Sequence, residues 1–351
     1  MQEPFIWDSN SDQPYPLKDK VYKQKIRQKN IGSYISLLLT NIVLFPITLL
    51  SMYFMRGHNE ASKSFYGMGV DLDKGTVQKE LIDELGVKYL LVRMPLWQMD
   101  RIEEYVAFAK SFGSGKHILL NILQDREHIE DKGLLKKDIE TIFDKFGSFV
   151  MEYQIGNAIN RTKWGFFSMD EYLKWYEVIQ KVRDKKYPHL KLIGSSVIDF
   201  EYHYTIRTLF NFFKVKYDIF SSLLYVDRRG SPYNKQMLIF DMKNKIKMLY
   251  AMVKLSPKTS NDIYITEVNW PLSNTAPYAP TSEVECVSEE KYSQYMQDYY
   301  AIAKESKKIQ RVYWHQLIAA GYGLVDDREG KLRKTPAFEQ YKRMIKHENS
   351  E

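Results

Sequence analysis

From Phe65 onward the chain alternates short apolar runs with amphipathic ones, eight times in about 285 residues. This repeat limits the fold more than any other feature. Strands alternating with helical patterns require crossover connections and therefore a parallel sheet. The apolar runs predict strands at Phe65–Asp71, Val87–Leu96, His117–Leu123, Phe149–Ile155, Leu190–Ile198, Ile219–Val226, Ile263–Pro271 and Val312–Leu317. Val87–Leu96 is almost continuously apolar, as expected of a strand covered on both faces. Between the strands, Val77, Leu81, Ile82 and Leu85 mark one helical face that stops at Gly86. Helices are also predicted over Ile102–Phe112 and Leu134–Phe146, and Ser168 with Glu171 forms a capping box before another. An open doubly wound sheet rarely runs to eight units, and no Gly-x-Gly-x-x-Gly follows a strand. The fold class expected is therefore α/β, a (β/α)8 TIM barrel over residues 65–345.

A second feature precedes the barrel. No charged residue occurs from Ile31 to Met55. At 1.5 Å per residue, about 25 residues cross roughly 30 Å of hydrocarbon, even with Pro46 bending them. Lys18, Lys20, Lys23, Lys25, Arg27 and Lys29 crowd the N-terminal side of this run. The positive-inside rule then expects a single-pass inner (plasma) membrane protein. Residues 1–30 would be a disordered cytoplasmic tail, 31–55 a transmembrane helix, 56–64 a linker, and the barrel would be periplasmic or external. The basic cluster has no accompanying nucleic-acid motif, so no nucleic-acid partner is expected despite a net charge of +7. One cysteine, Cys286, excludes an intrachain disulfide, and the seven histidines never fall at metal-ligand spacing. No metal or cofactor is expected.

In a (β/α)8 barrel, chemistry sits at the C-terminal ends of the strands. Strand seven reads Ile-Tyr-Ile-Thr-Glu-Val-Asn-Trp-Pro, running straight into Glu267 before Pro271 breaks it. Alone, this pattern also fits a glutamate that caps the next helix. The other strand ends bring Asp71, Arg93, Asn121, Asn157, Asn160, Asp199, Glu201, Tyr225, Asp227, Trp314 and Gln316 to the same rim. Carboxylates, amides and an aromatic around one pocket suit glycoside chemistry, in which an acid and a base or nucleophile flank the bond.

At these residues the sequence resembles the clan-A (β/α)8 glycoside hydrolases over about residues 65–345. The resemblance implies that Glu267 is the strand-seven nucleophile or base, that Arg93 in Val-Arg-Met-Pro supports it, and that Trp314 lines the substrate pocket. The tail Gly323-Leu324-Val325-Asp326 followed by Pro336-Ala337-Phe338 is similar to the clan's closing turn before its last helix. Strand four departs from the pattern. Where the clan carries Gly-Asn-Glu, this chain reads Gly156-Asn157-Ala158, and alanine cannot transfer a proton. Candidates for the missing acid are Asp199, Glu201, Asp227 and His203.

Arg161, Lys163, Arg228 and Arg229 directly follow rim strands. Guanidinium groups grip carboxylates in two-point fashion, which suits an anionic sugar. Asn157, Arg161, Tyr225, Asp227, Arg228 and Trp314 are the expected substrate contacts, and the long loop 271–287 is an expected lid or partner surface. A membrane-anchored hydrolase of an anionic envelope glycan or lipid-linked saccharide is the function expected. Removal of an outer Kdo sugar from lipopolysaccharide by a two-subunit membrane hydrolase is similar in topology and in its demand for positive charge, and it would imply a partner subunit. The alternative is a catalytically inactive barrel that binds glycan or positions a partner enzyme, which Ala158 favours.

Overall fold

A computed structural model describes residues 4–57, 65–227 and 230–348. Its centre is a closed parallel barrel of eight strands: β3 (Tyr66–Val70), β4 (Tyr89–Pro95), β5 (His117–Leu123), β6 (Glu152–Ile155), β7 (Lys191–Ile198), β8 (Ile219–Leu223), β9 (Ile263–Ile265) and β10 (Arg311–Trp314). β10 closes the ring by pairing with β3, Val312 opposite Tyr66. The sequence therefore carries both the fold class and the order of the strands. Helices α3 (Val77–Leu85), α4 (Ile102–Ser111), α5 (Arg126–Glu130), α6 (Lys132–Phe146), α7 (Met169–Lys186), α8 (Tyr202–Leu209), α9 (Met242–Leu255), α10 (Glu289–Glu305) and α11 (Pro336–Glu348) follow the strands around it. Gly86 ends α3 at φ 74°, a left-handed cap that glycine adopts without steric cost. Ser168 caps α7 by accepting from the Glu171 amide at 3.2 Å, but the Glu171 carboxylate reaches back to the amide of Phe167, one residue earlier than a capping box requires.

Inside the barrel, Leu91, Leu119, Ile193, Ile219, Tyr264 and Tyr313 form one packed layer. The Arg311 guanidinium stacks on it, 3.6 Å from the Tyr89 ring centre, and pairs with Glu152 at 3.4 Å. This layer fills the floor of the barrel, so only the C-terminal mouth is open to a ligand. Arg93, Asn121, Ser195 and Ser221 lie two residues beyond members of that layer and so face inward above it.

The N-terminal region departs from expectation. Residues 4–30 form folded structure, with a small hairpin of β1 (Trp7–Asp8) and β2 (Gln13–Pro14), then α1 (Lys20–Lys29). The hairpin docks on the barrel mouth. The Trp7 ring lies 5.2 Å from Trp97 and 5.7 Å from Trp164, and Asp12 pairs with Arg93 at 2.6 Å. Burial of these aromatic and ionic contacts outweighs the low apolar content that suggested disorder. The charge-free run folds as α2 (Ile31–Ser51), long and apolar enough to cross a membrane. It packs along α8 and α9, Tyr34 donating to the Phe167 carbonyl at 2.7 Å and Asn41 to that of His203 at 3.0 Å. Residues 4–30 rest on the barrel mouth and α2 itself packs along the barrel, while remaining long and apolar enough to cross a membrane. Most of the expected linker 56–64 lies outside the described residues.

Candidate active site

Glu267 follows β9 and is buried at the mouth. Four elements hold its carboxylate. Arg93 at the end of β4 donates to Oε2 at 3.0 Å, and Asn157 after β6 donates to the same oxygen at 3.3 Å. The Tyr225 hydroxyl, after β8, donates to Oε1 at 2.8 Å. His315, after β10, adds a fourth favourable interaction. Burial alone would push the carboxyl pKa up, but His315, Arg93, Tyr225 and Asn157 together bring it below the usual glutamate value. Glu267 is therefore an anion at neutral pH, oriented on both oxygens.

A cavity of about 190 Å³ opens over it, with Asp12, Arg161, Lys163, Asp199 and His315 also in its walls. The loop 271–287 contributes Pro280 and Thr281, so it does border the cavity as a lid would. The N-terminal hairpin is tied to that loop and to the rim. Gln13 donates to the Pro280 carbonyl at 3.0 Å and accepts from Lys163 at 2.7 Å.

The sequence-derived rim residues divide into three groups. Glu267, Arg93, Asn157 and Tyr225 meet in one hydrogen-bonded cluster. Arg161, Asp199 and Glu201 form a second group beside it, in which Arg161 donates to Glu201 at 2.6 Å and also pairs with Asp199. Asp227 lies next to this second group in a separate cavity of about 310 Å³ that also includes Lys245. Trp314 forms the third group, because it is not at the site. Tyr313 points into the barrel floor, so strand alternation turns Trp314 outward, where it is fully buried and donates to the Tyr292 hydroxyl of α10 at 2.7 Å. His203 also misses the cavity, since it lies on α8 beside Tyr204. Arg228 and Arg229 fall outside the described residues.

At the strand-four position Ala158 is buried with φ 45°, so the expected acid is absent in structure as in sequence. Asp12, His315 and Tyr322 are cavity residues that the strand-end count does not reach. His315 follows from the register of β10. Asp12 has a local signal only in its turn-forming surroundings, Ser9-Asn10-Ser11-Asp12. Among the described residues no cluster of His, Cys, Asp and Glu could hold a metal ion.

No family model and no curated protein matches the sequence. Among solved structures, the chain is similar to a GH2 β-galacturonidase from Eisenbergiella tayi bound to galacturonate, with TM-score 0.55, 14% identity, and 83% of this chain and 54% of that one covered. It is also similar to a GH39 β-xylosidase from Caulobacter crescentus, with TM-score 0.57, 12% identity, and coverage of 82% and 72%. A third is the GH39 enzyme from Xanthomonas axonopodis pv. citri, with TM-score 0.54, 12% identity, and coverage of 83% and 68%. The chain spans about half the length of the galacturonidase. At such identities the likeness is one of fold: this is a closed (β/α)8 barrel.

Proposed function

We propose that the protein is a glycoside hydrolase acting at a membrane surface on the terminal anionic sugar of a lipid-linked envelope glycan, with Glu267 as nucleophile or base. The observation that carries this reading is the Glu267 carboxylate itself. It is buried, ionised and held on both oxygens at the one open end of the barrel. A carboxylate so positioned meets the requirement for attack on an anomeric carbon or for deprotonation of a water that attacks it. The cavity of about 190 Å³ over Glu267 has room for a sugar ring.

The preference for an anionic sugar rests on Arg93, Arg161, Lys163 and His315 in the cavity wall. A sugar acid, of the kind lipopolysaccharide carries, would set its carboxylate against these donors. The galacturonidase that shares the fold was solved with a sugar acid, galacturonate, bound.

Membrane association rests on α2. Ile31, Ile35, Leu38, Leu39, Ile42, Val43 and Leu50 are exposed along it, and the basic helix α1 precedes it directly. A spanning helix fastened along the barrel would drag the barrel's polar flank into hydrocarbon, at several kcal/mol per unpaired group. An orientation in the membrane plane, with basic residues on anionic headgroups, avoids that cost. The barrel and residues 4–30 then lie on one side of the bilayer. A partner subunit is compatible with this arrangement.

The experiment is release of sugar acid from envelope membranes by wild type and by Glu267→Gln. The second reading, a silent barrel that binds glycan for another enzyme, is favoured by Ala158 alone. It predicts glycan binding without release in either protein.

A further inference from the structure

Resting on the hydrolase reading above, we propose that Asp12 of the N-terminal hairpin is the proton donor that replaces the acid missing from β6. The chain folds back so that its first turn completes a site the barrel cannot complete by itself.

The geometry is as follows. Asp12 and Glu267 flank a single guanidinium. Nη1 of Arg93 donates to Asp12 Oδ2 at 2.6 Å and to its carbonyl at 3.2 Å, while Nη2 donates to Glu267 Oε2 at 3.0 Å. The two carboxylates are therefore separated by little more than the guanidinium itself, and both line the same cavity. Arg93 occupies Oδ2, and Oδ1 makes no hydrogen bond among the described residues, so that oxygen is free to carry a proton.

The hairpin is also built to hold this group still. Trp7 is wedged between Trp97 and Trp164, Gln13 bridges Lys163 and Pro280, and the Tyr322 hydroxyl reaches the Ser11 carbonyl at 3.5 Å. Asp12 itself stands at φ 51°, a left-handed turn conformation that Asp tolerates better than most side chains.

Charge balance supports a retained proton. The groups facing Asp12 are Arg93 from β4, Asp71 after β3, Glu267 after β9 and Tyr322 from the segment after β10. Three carboxylates around one guanidinium cannot all ionise cheaply when water is excluded. Burial pushes the Asp12 carboxyl from 3.8 up to about 7, with Asp71 and Glu267 adding to the rise and Arg93 opposing it. Glu267 is held low and Asp12 high, which divides the two carboxylates into a base and an acid. Asp199, the other carboxylate in the cavity wall, pairs with Arg161 and among the described residues shares no hydrogen-bond partner with Glu267, whereas Asp12 shares Arg93 with it.

The step balances. As the anomeric C–O bond breaks, Asp12 gives its proton to the departing oxygen, which leaves as an alcohol. Glu267, or a water that it deprotonates, forms the new bond to the anomeric carbon. Water supplies the hydroxyl of the released sugar: where it cleaves a glycosyl ester of Glu267 its remaining proton returns to Asp12, and where Glu267 deprotonates it directly, Glu267 releases that proton to solvent and Asp12 takes one from solvent.

The test compares phenyl and 4-nitrophenyl glycosides of a sugar acid, using the full-length chain in detergent. A phenol leaving group needs a proton and a nitrophenol needs far less. Asp12→Asn should slow the phenyl glycoside about 10²–10⁴-fold. It should slow the 4-nitrophenyl glycoside much less and remove the alkaline limb of the pH profile near 7. Trp fluorescence, reporting Trp7 against Trp97 and Trp164, checks that the variant hairpin stays docked; if it does not, Asp12→Glu should restore both docking and the limb. Equal slowing of both glycosides, an unmoved alkaline limb, or the leaving-group pattern appearing in Asp199→Asn instead would overturn the assignment. Faster turnover by Asp12→Asn would also overturn it, making the carboxylate an internal competitor of an anionic substrate. Each of these outcomes, with wild type active and Glu267→Gln inactive, leaves the hydrolase reading standing. Wild type inert on both glycosides and on envelope membranes sinks that reading first, and the Asp12 assignment with it.

Discussion

Arg93 holds Glu267 on one side at 3.0 Å and Asp12 on the other at 2.6 Å, so residues from the seventh barrel strand and from the chain's first turn meet on one guanidinium. Neither partner is fully exposed, which makes this triad more than a surface ion pair.

Removing the bridge should therefore be costly. Arg93→Ala leaves two carboxylates facing each other without their counter-charge, and a loss of about 3–5 kcal/mol in unfolding free energy is expected. The Glu267 carboxyl should also titrate at higher pH. Denaturant unfolding at several pH values checks both, the deficit shrinking as the carboxyls protonate.

Hairpin docking should depend on pH through Asp12. Its carboxyl is raised from 3.8 when exposed to about 7 when docked. A raised pKa means the docked state binds the extra proton, so docking is strongest below the lower value and weakens as pH rises toward the upper one. Trp fluorescence followed over that range should show the change, and Asp12→Asn should abolish it.

Lys163 should set the upper pH limit for anion binding. Burial, reinforced by Arg161, lowers its pKa from 10.5 to about 8. The cation is present below that pH and is lost as pH rises through it. Affinity for a sugar acid measured by calorimetry should fall across about pH 8, and Lys163→Gln should bind weakly at every pH without that step.

The exposed face of α2 should bind membranes without crossing them. Leu39→Asp with Val43→Asp should reduce flotation with anionic vesicles while leaving unfolding nearly unchanged, since both side chains are largely exposed. A cysteine reagent that cannot cross the bilayer should label engineered cysteines at Ser9 and at Glu305 from the same side.

How much of this was legible in the sequence follows from the distance over which each signal acts. Arg93 and Glu267 are 174 residues apart, yet parallel strands put their C-terminal ends on one face, so counting strands was enough to bring them together. Trp314 was misplaced because a one-residue change of register in a short strand turns a side chain from mouth to outer layer, and Tyr313 takes the inward position. Asp12 was missed for another reason. Its segment is short, polar and interrupted by Pro14 and Pro16, which locally reads as unstructured, and the contacts that order it come from Trp97, Trp164 and Arg93 far along the chain. The apolar run of α2 was plain, but its orientation depends on Tyr34 and Asn41 bonding to the barrel, which no hydropathy pattern contains.

The most direct measurement is sugar-acid release from envelope membranes by the full-length protein beside Glu267→Gln, with folding of the variant checked by thermal unfolding. The account predicts release by wild type and none detectable by the variant, because the amide cannot attack or take a proton at the position that Arg93, Asn157 and Tyr225 define. Equal release by the two proteins would contradict it and remove Glu267 from the chemistry.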